Sequence, residues 1–282
     1  MTRSKGGATT ASRAEGDWGD GKMKIVVCAK QIPGPDAPAA FDERTYTLAR
    51  SAGLVLDDSD SYSVEIALRL VEQAGGGEVI LVSMVPDGEV AGLRTALAMG
   101  ATRAVLVSDA ALAGSDALGT ARVLAAVVDR IGADLVLCAT ESSDGYTGTA
   151  PVQLAEFLAV PAVTFAKRVE LSDGGVRVER QTEAGYDEVV CPLPAVVTVT
   201  AGVVEVRYPN FKGIMAAKSK PIEVLTVAEL GLDPVRVGAA GARQEVTAIE
   251  VAEGRSAGAI VTDEDGAAHE RVMEVLVAWG VL

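Results

Sequence analysis

One histidine, His269, is present in 282 residues, and that scarcity removes several chemistries at once. A Ser-His-Asp or Cys-His catalytic unit has no base to use, and a His-rich metal site cannot be assembled. His269 itself reads as a surface residue of a C-terminal helix. The three cysteines, Cys28, Cys138 and Cys191, lie far apart in apolar runs with no Cys-x-x-Cys spacing, as expected of buried thiols in a reducing compartment. Neither G-x-G-x-x-G nor G-x-x-x-x-G-K-[ST] occurs. The Asp-x-Asp-Gly at Asp263–Gly266 lacks the other ligands of a calcium loop. No apolar run reaches the ~18–20 residues that cross a bilayer, so the chain reads as soluble and not membrane-embedded. Positive charge is also short: the formal net charge is −14, which repels a phosphate backbone and argues against nucleic acid as a partner. Nothing in the pattern looks catalytic.

Aromatic residues make up only 4% of the chain, against 49% hydrophobic residues overall. A core must therefore be built from Val, Ala, Leu and Ile, the composition of β-branched strands under Ala/Leu-rich helices. Residues 1–22 are polar and Gly-rich, read as a leader outside the fold, which is expected to begin at Met23. Lys24–Cys28 predicts a buried strand closed by Pro33-Gly34-Pro35. Asp57–Asp60 and Ser61 then precede a helix with Val64, Ala67, Leu68 and Val71 on one face. Further strands are expected at Glu78–Val85, Ala104–Val107 and Asp134–Ala139. Helices between and after them carry Val90, Leu93 and Leu97, then a stretch capped by Asp116, then one opened by Pro151. This alternation predicts βαβ units and a parallel sheet with helices on both faces. Beyond it the pattern changes to a hairpin, Ala166–Leu171 and Val176–Arg180 about Asp173-Gly174-Gly175, and to strands at Glu188–Cys191 and Ala195–Thr200. Residues 238–265 read as an extended arm, followed by a helix with Val272, Val275, Leu276 and Trp279 at helical spacing.

Two segments have the character of sites. The loop Ala139-Thr140-Glu141-Ser142-Ser143-Asp144-Gly145-Tyr146-Thr147-Gly148 follows a parallel strand, where open α/β sheets place ligands, and its hydroxyls and glycines suit a phosphate. An ordinary solvated turn fits the same residues. The second segment, Arg207 to Lys220, sets Tyr208, Phe211, Ile214 and Met215 beside four cations with no acidic residue, in a Pro/Gly-bearing stretch read as a docking loop. A Phe211 that tucks into the core is the alternative.

These segments, in this order, resemble the electron-transfer flavoprotein β (small) subunit family. The resemblance runs from Met23 to about Val237 and resumes weakly at the C-terminus. It is carried by Val27-Cys28-Ala29-Lys30-Gln31, Thr95-Ala96-Leu97-Ala98-Met99-Gly100-Ala101, Glu179-Arg180-Gln181-Thr182-Glu183, Leu193-Pro194-Ala195-Val196-Val197-Thr198, Arg207-Tyr208-Pro209 and Gly213-Ile214-Met215-Ala216-Ala217-Lys218. It implies a Rossmann-like sheet of the adenine-nucleotide α-hydrolase type, at residues 23–237, with an added hairpin region and an arm at 238–282 that packs on an α subunit. It implies a structural AMP on this chain and a redox-active FAD held mainly by the α subunit. By position, AMP contacts fall on Cys28, on Asp57, Asp58, Ser59 and Asp60, on Met84, and on Ala139, Thr140, Glu141, Ser142, Ser143, Asp144, Gly145, Tyr146 and Thr147. The implied docking residues are Phe211, in the place of an apolar anchor, with Lys212, Ile214 and Met215. Lysines usual after the Met are here Ala216 and Ser219.

The function so implied is that of an electron-carrier subunit without catalytic residues of its own. It would pass electrons from acyl-CoA dehydrogenase-type flavoenzymes toward a quinone oxidoreductase in a cytoplasmic, bacterial-type setting. A bifurcating member, with a second FAD in place of AMP, is the near alternative. A free-standing nucleotide-binding regulator of the universal-stress type, which would be a homodimer, is the more distant one.

Overall fold

The computed structural model describes residues 22–34, 40–50, 53–250, 258, 260–264 and 266–282. The expected leader at 1–22 (Lys22 apart), Pro35 of the proposed turn and Asp265 of the acidic loop fall outside the described residues. One compact unit runs to Val246, and a second comprises Thr247–Leu282.

The first unit is a nine-stranded sheet. Its strands are β1 (Met23–Cys28), β4 (Gly77–Val85), β5 (Arg103–Ser108), β6 (Leu135–Ala139), β7 (Ala162–Ser172), β8 (Gly175–Thr182), β9 (Gly185–Pro192), β10 (Ala195–Val199) and β11 (Ile222–Leu225), in the order β11-β5-β4-β1-β6-β10-β7-β8-β9. All neighbours pair parallel from β11 to β7, while β7–β8 and β8–β9 are antiparallel. A separate antiparallel pair joins β2 (Gln31–Pro33) to β3 (Leu54–Leu56), so Pro33 ends a short strand.

The helices divide between the two faces. α1 (Asp58–Gln73) and α2 (Ala91–Met99) bury Val64, Ala67, Leu68, Leu93 and Leu97 against Ile25, Val27, Leu81 and Leu137. α3 (Ala117–Ile131) and α4 (Ala150–Leu158) bury Ala121, Val123, Val127 and Leu154 against Val26, Ile80, Val136 and Val196. The period-two alternation along β1 and β6 thus feeds two cores, and each fully buried Leu or Ile contributes ~1.5–3 kcal/mol. Caps fix where the helices start. Asp57 is the N-cap of α1, so this helix begins inside the acidic run and not after Ser61. Asp116 caps α3 by accepting the Gly119 N–H at 2.7 Å. At α2 the cap comes from elsewhere: the buried Gln31 Oε1 accepts the Gly92 N–H at 2.9 Å.

After β10, α5 (Phe211–Ala217) lies against α2, and α6 (Gly238–Gly241) hydrogen-bonds the turn before α3 through Ala239 N–H and Ala113 O at 2.8 Å. In the second unit α7 (Ala268–Ala278) buries none of its residues and exposes Val272 and Val275, and Trp279 just past its end is exposed too. Among the described residues no helix is long and apolar enough to cross a membrane.

Candidate functional site

In the sheet order, β4 lies on one side of β1 and β6 on the other, so the chain's winding reverses between β1 and β6. Ligands of open α/β sheets bind at the carboxyl ends of strands beside such a reversal. A cavity of about 690 Å³ sits there, within the ~300–1,000 Å³ usual for small-molecule sites. Among the expected residues, Cys28, Asp60, Met84, Ala139, Thr140, Glu141, Ser142, Gly145 and Thr147 line it. Asp57, Asp58, Ser59, Ser143, Asp144 and Tyr146 do not line it, and their places explain why.

Asp57 is fully buried and works behind the wall. Its Oδ1 accepts the Ser59 N–H at 3.0 Å and its Oδ2 accepts the Ser143 N–H at 2.8 Å. Its own N–H donates to Lys30 O at 3.0 Å. The carboxylate thus ties the start of α1 to the 140–148 loop, and the backbone of the same residue ties both to the segment just after β1. Asp58 and Ser59 occupy the first turn of α1, with Asp58 exposed. Tyr146 has φ 47° and points to solvent, its N–H bonded to Ser142 O at 2.9 Å.

Asp144 organises two cations. Lys30 Nζ lies 2.5 Å from its Oδ1 and donates to Ser142 Oγ at 3.0 Å. Arg50 pairs with its Oδ2. Burial alone would raise the Asp144 carboxyl, but Lys30 and Arg50 outweigh it and hold it below the usual range. Lys30, Arg50 and Ser142 face the cavity, so the acid sits behind its bases. Ala150 and Pro151, in the first turn of α4, also line the cavity, and Thr149 provides no side-chain cap to that helix. Cations, a hydroxyl and a helix N-terminus on the wall of one cavity suit a phosphate.

Asp60 is 4% exposed and accepts the Lys30 N–H at 2.6 Å. Burial, aided by the neighbouring Asp57 charge and opposed by the Lys30 N–H, raises its pKa to about 8. The shift favours the neutral form, which can donate as well as accept. Cys138 is raised too, first by the adjacent Cys28 thiol, then by burial and by Asp60. Lys30, Arg50 and Ser83 are lining residues that the sequence reading did not select. Lys30 did stand two residues past a predicted strand, at the end where ligands bind, which is a usable signal. Arg50 carried none.

The basic segment departs from expectation in shape. It is a helix, α5, capped by Asn210, whose side chain accepts the Gly213 N–H at 2.8 Å. It contains a glycine because a Cβ at Gly213 would lie 2.5 Å from Ala98 O. Phe211 is 79% exposed and Tyr208 94%, so neither tucks into the core, and Ile214, Met215 and Lys212 are exposed beside them. Two of the four cations are structural. Arg207 grips the buried Glu65 through Nε–Oε2 at 2.7 Å and reaches Glu72 at 2.9 Å. Lys220 Nζ donates to Leu97 O and Ala101 O at 2.9 and 2.6 Å, closing the C-terminus of α2.

The model of the family described as "Electron transfer flavoprotein domain" matches residues 45–230, which include the loop, the cavity's Asp60 and α5. The chain belongs to the electron transfer flavoprotein β-subunit family. The electron transfer flavoprotein subunit beta of Mycobacterium tuberculosis is 36% identical over 264 residues, spanning 92% of this chain and 99% of that one. Its namesake from Megasphaera elsdenii is 33% identical over 272 residues, spanning 92% and 100%. Subunit CarD of the caffeyl-CoA reductase-Etf complex of Acetobacterium woodii is 35% identical over 218 residues, spanning 77% and 83%. The chain's family is one of electron-transport flavoproteins.

Proposed function

We propose that this electron transfer flavoprotein β subunit binds AMP in the cavity between β1, β4 and β6, and supports an FAD held mainly by its α subunit. The observation that carries the reading is the Lys30–Asp144–Arg50 cluster with Ser142 on the wall of a cavity that the start of α4 and the buried Asp60 also line. The cations and hydroxyl fit a phosphate, and Asp60 fits a hydrogen-bonding base or sugar. The residues present fit the group. When bound, the FAD supplies the electron transfer, and this chain contributes position.

In this reading the exposed Tyr208, Phe211, Ile214 and Met215, with Lys212 and Lys218, dock a flavin dehydrogenase of the acyl-CoA dehydrogenase type. Electrons pass on toward a quinone oxidoreductase, and the chain performs no bond-making step of its own. A small exposed anchor flanked by a few charges suits partners that must release quickly. The exposed Val272 and Val275 of α7, with Trp279 just past its end, pack on the α subunit.

The bifurcating reading, with a second FAD in the cavity, is favoured by one observation: the similarity to a subunit of the caffeyl-CoA reductase-Etf complex. Denaturing the co-purified heterodimer and identifying its nucleotides by mass separates the two. One AMP and one FAD per heterodimer support the carrier, two FAD support the bifurcating form, and no nucleotide beyond one FAD sinks both.

A further inference from the structure

Two of the three cysteines meet on the cavity floor. β1 and β6 run in register as far as Val27 and Leu137, so the next residues, Cys28 and Cys138, stand opposite one another on neighbouring strands. Two positions earlier on each strand, Val26 and Val136 pack in the core under α3 and α4, which sets both thiols on that same face. Both residues line the cavity. Neighbouring strands are ~4.8 Å apart, within the ~4.4–6.8 Å that a disulfide spans between Cα atoms. The thiols also sense each other, since Cys28 is the largest cause raising Cys138. Cys191 differs: it is buried in the core of the opposite face.

We propose that Cys28 and Cys138 form a reversible disulfide in the cavity floor, a modification site open to hydroperoxides when the cavity is empty and shielded when a ligand fills it. The pairing rests on strand register; only the shielding rests on the nucleotide reading. Cys28 is the partly exposed member and reacts first. Its sulfur takes the terminal oxygen of the hydroperoxide, the O–O bond breaks, and an alcohol (or water, from hydrogen peroxide) leaves, giving a sulfenic acid. The Cys138 sulfur then displaces hydroxide from Cys28, and its proton leaves with that oxygen as water. Two thiols lose two electrons and two protons, and one hydroperoxide is reduced.

The test treats the purified full chain with hydrogen peroxide, with and without added AMP, alkylates remaining thiols and maps peptides without reduction. The expected product is a Cys28–Cys138 linked peptide, lighter by two hydrogens and reversed by dithiothreitol, with Cys191 alkylated. In Cys138→Ser, Cys28 should run on to sulfinic acid with no linked peptide. AMP at about ten times its Kd should slow linkage about tenfold, following the unliganded fraction. Cys28 sulfinic acid in the parent chain beside an alkylated Cys138, or linkage only between chains, overturns the proposal. Linkage at an undiminished rate under AMP upholds the thiol pair and overturns AMP as the occupant.

Discussion

Arg207→Ala separates a structural cation from a docking one. Glu65 is 2% exposed, and Arg207 gives it three bonds: Nε at 2.7 Å, Nη2 at 3.2 Å and the backbone N–H at 3.2 Å. Removing one partner of a buried pair costs ~3–5 kcal/mol, because the other charge stays behind. Here Arg69 still reaches Glu65 Oε1 at 2.6 Å, the backbone N–H survives, and the Arg207 side chain is 36% exposed. These reduce the expected loss to about 2–3 kcal/mol. For a unit of this size that is roughly 5–10 °C in Tm, read by circular dichroism and checked by urea unfolding. Lys212→Ala, on the exposed side of α5, should stay within about 0.5 kcal/mol of the parent. The pH dependence has a definite sign. Burial raises the Glu65 carboxyl, but the Arg207 and Arg69 bonds outweigh it and lower the folded pKa. Its contribution is therefore present above the unfolded value of ~4.3 and is lost as pH falls through the lower folded value. The stability gap between parent and Arg207→Ala should hold above pH ~5 and close only in acid. An Arg207→Ala chain as stable as Lys212→Ala would refute the anchoring role and return Arg207 to the docking surface.

Lys30→Ala should weaken AMP retention at least about tenfold, the loss of one charge-assisted bond; calorimetry showing undiminished affinity would move the phosphate elsewhere. Phe211→Ala should slow FAD reduction by a partner dehydrogenase while leaving stability within about 0.5 kcal/mol and nucleotide content unchanged, whereas lost FAD would make Phe211 structural. Asp60 carries the opposite pH sign to Glu65: its folded pKa of about 8 exceeds the ordinary carboxyl value, so its contribution is complete in acid and fades as pH rises to 8. Urea midpoints should fall between pH 5 and 8.5 more steeply in the parent than in Asp60→Asn, and parallel profiles would count against a buried acid there.

Periodicity made the first half of the fold legible. Val64, Ala67 and Leu68, or Leu93 and Leu97, repeat at helical spacing between β-branched runs, and the structure buries those side chains in the core. The ligand-binding end was legible for the same reason, since a parallel strand ending at Ala139 directs its next loop to the sheet's carboxyl edge. Strand order was not. Ala195–Val199 reads as another apolar strand, and nothing in it says that it inserts between β6 and β7. α5 was hidden because Gly213, required by the nearby Ala98 carbonyl, weakens the helical signal. The cation pair was hidden because Lys30, Arg50 and Asp144 are 20 to 114 positions apart and meet only through tertiary packing.

The central place of β10 has a consequence for synthesis. β6 is completed at Ala139, but its second neighbour is not made until Ala195–Val199. Through that interval a nascent chain holds β6 with one row of backbone groups unmatched in the middle of the future sheet. Such a margin can be taken by a strand from another chain. Polypeptides ending before Ala195 should therefore aggregate, while loss of β11 strips only an outer strand.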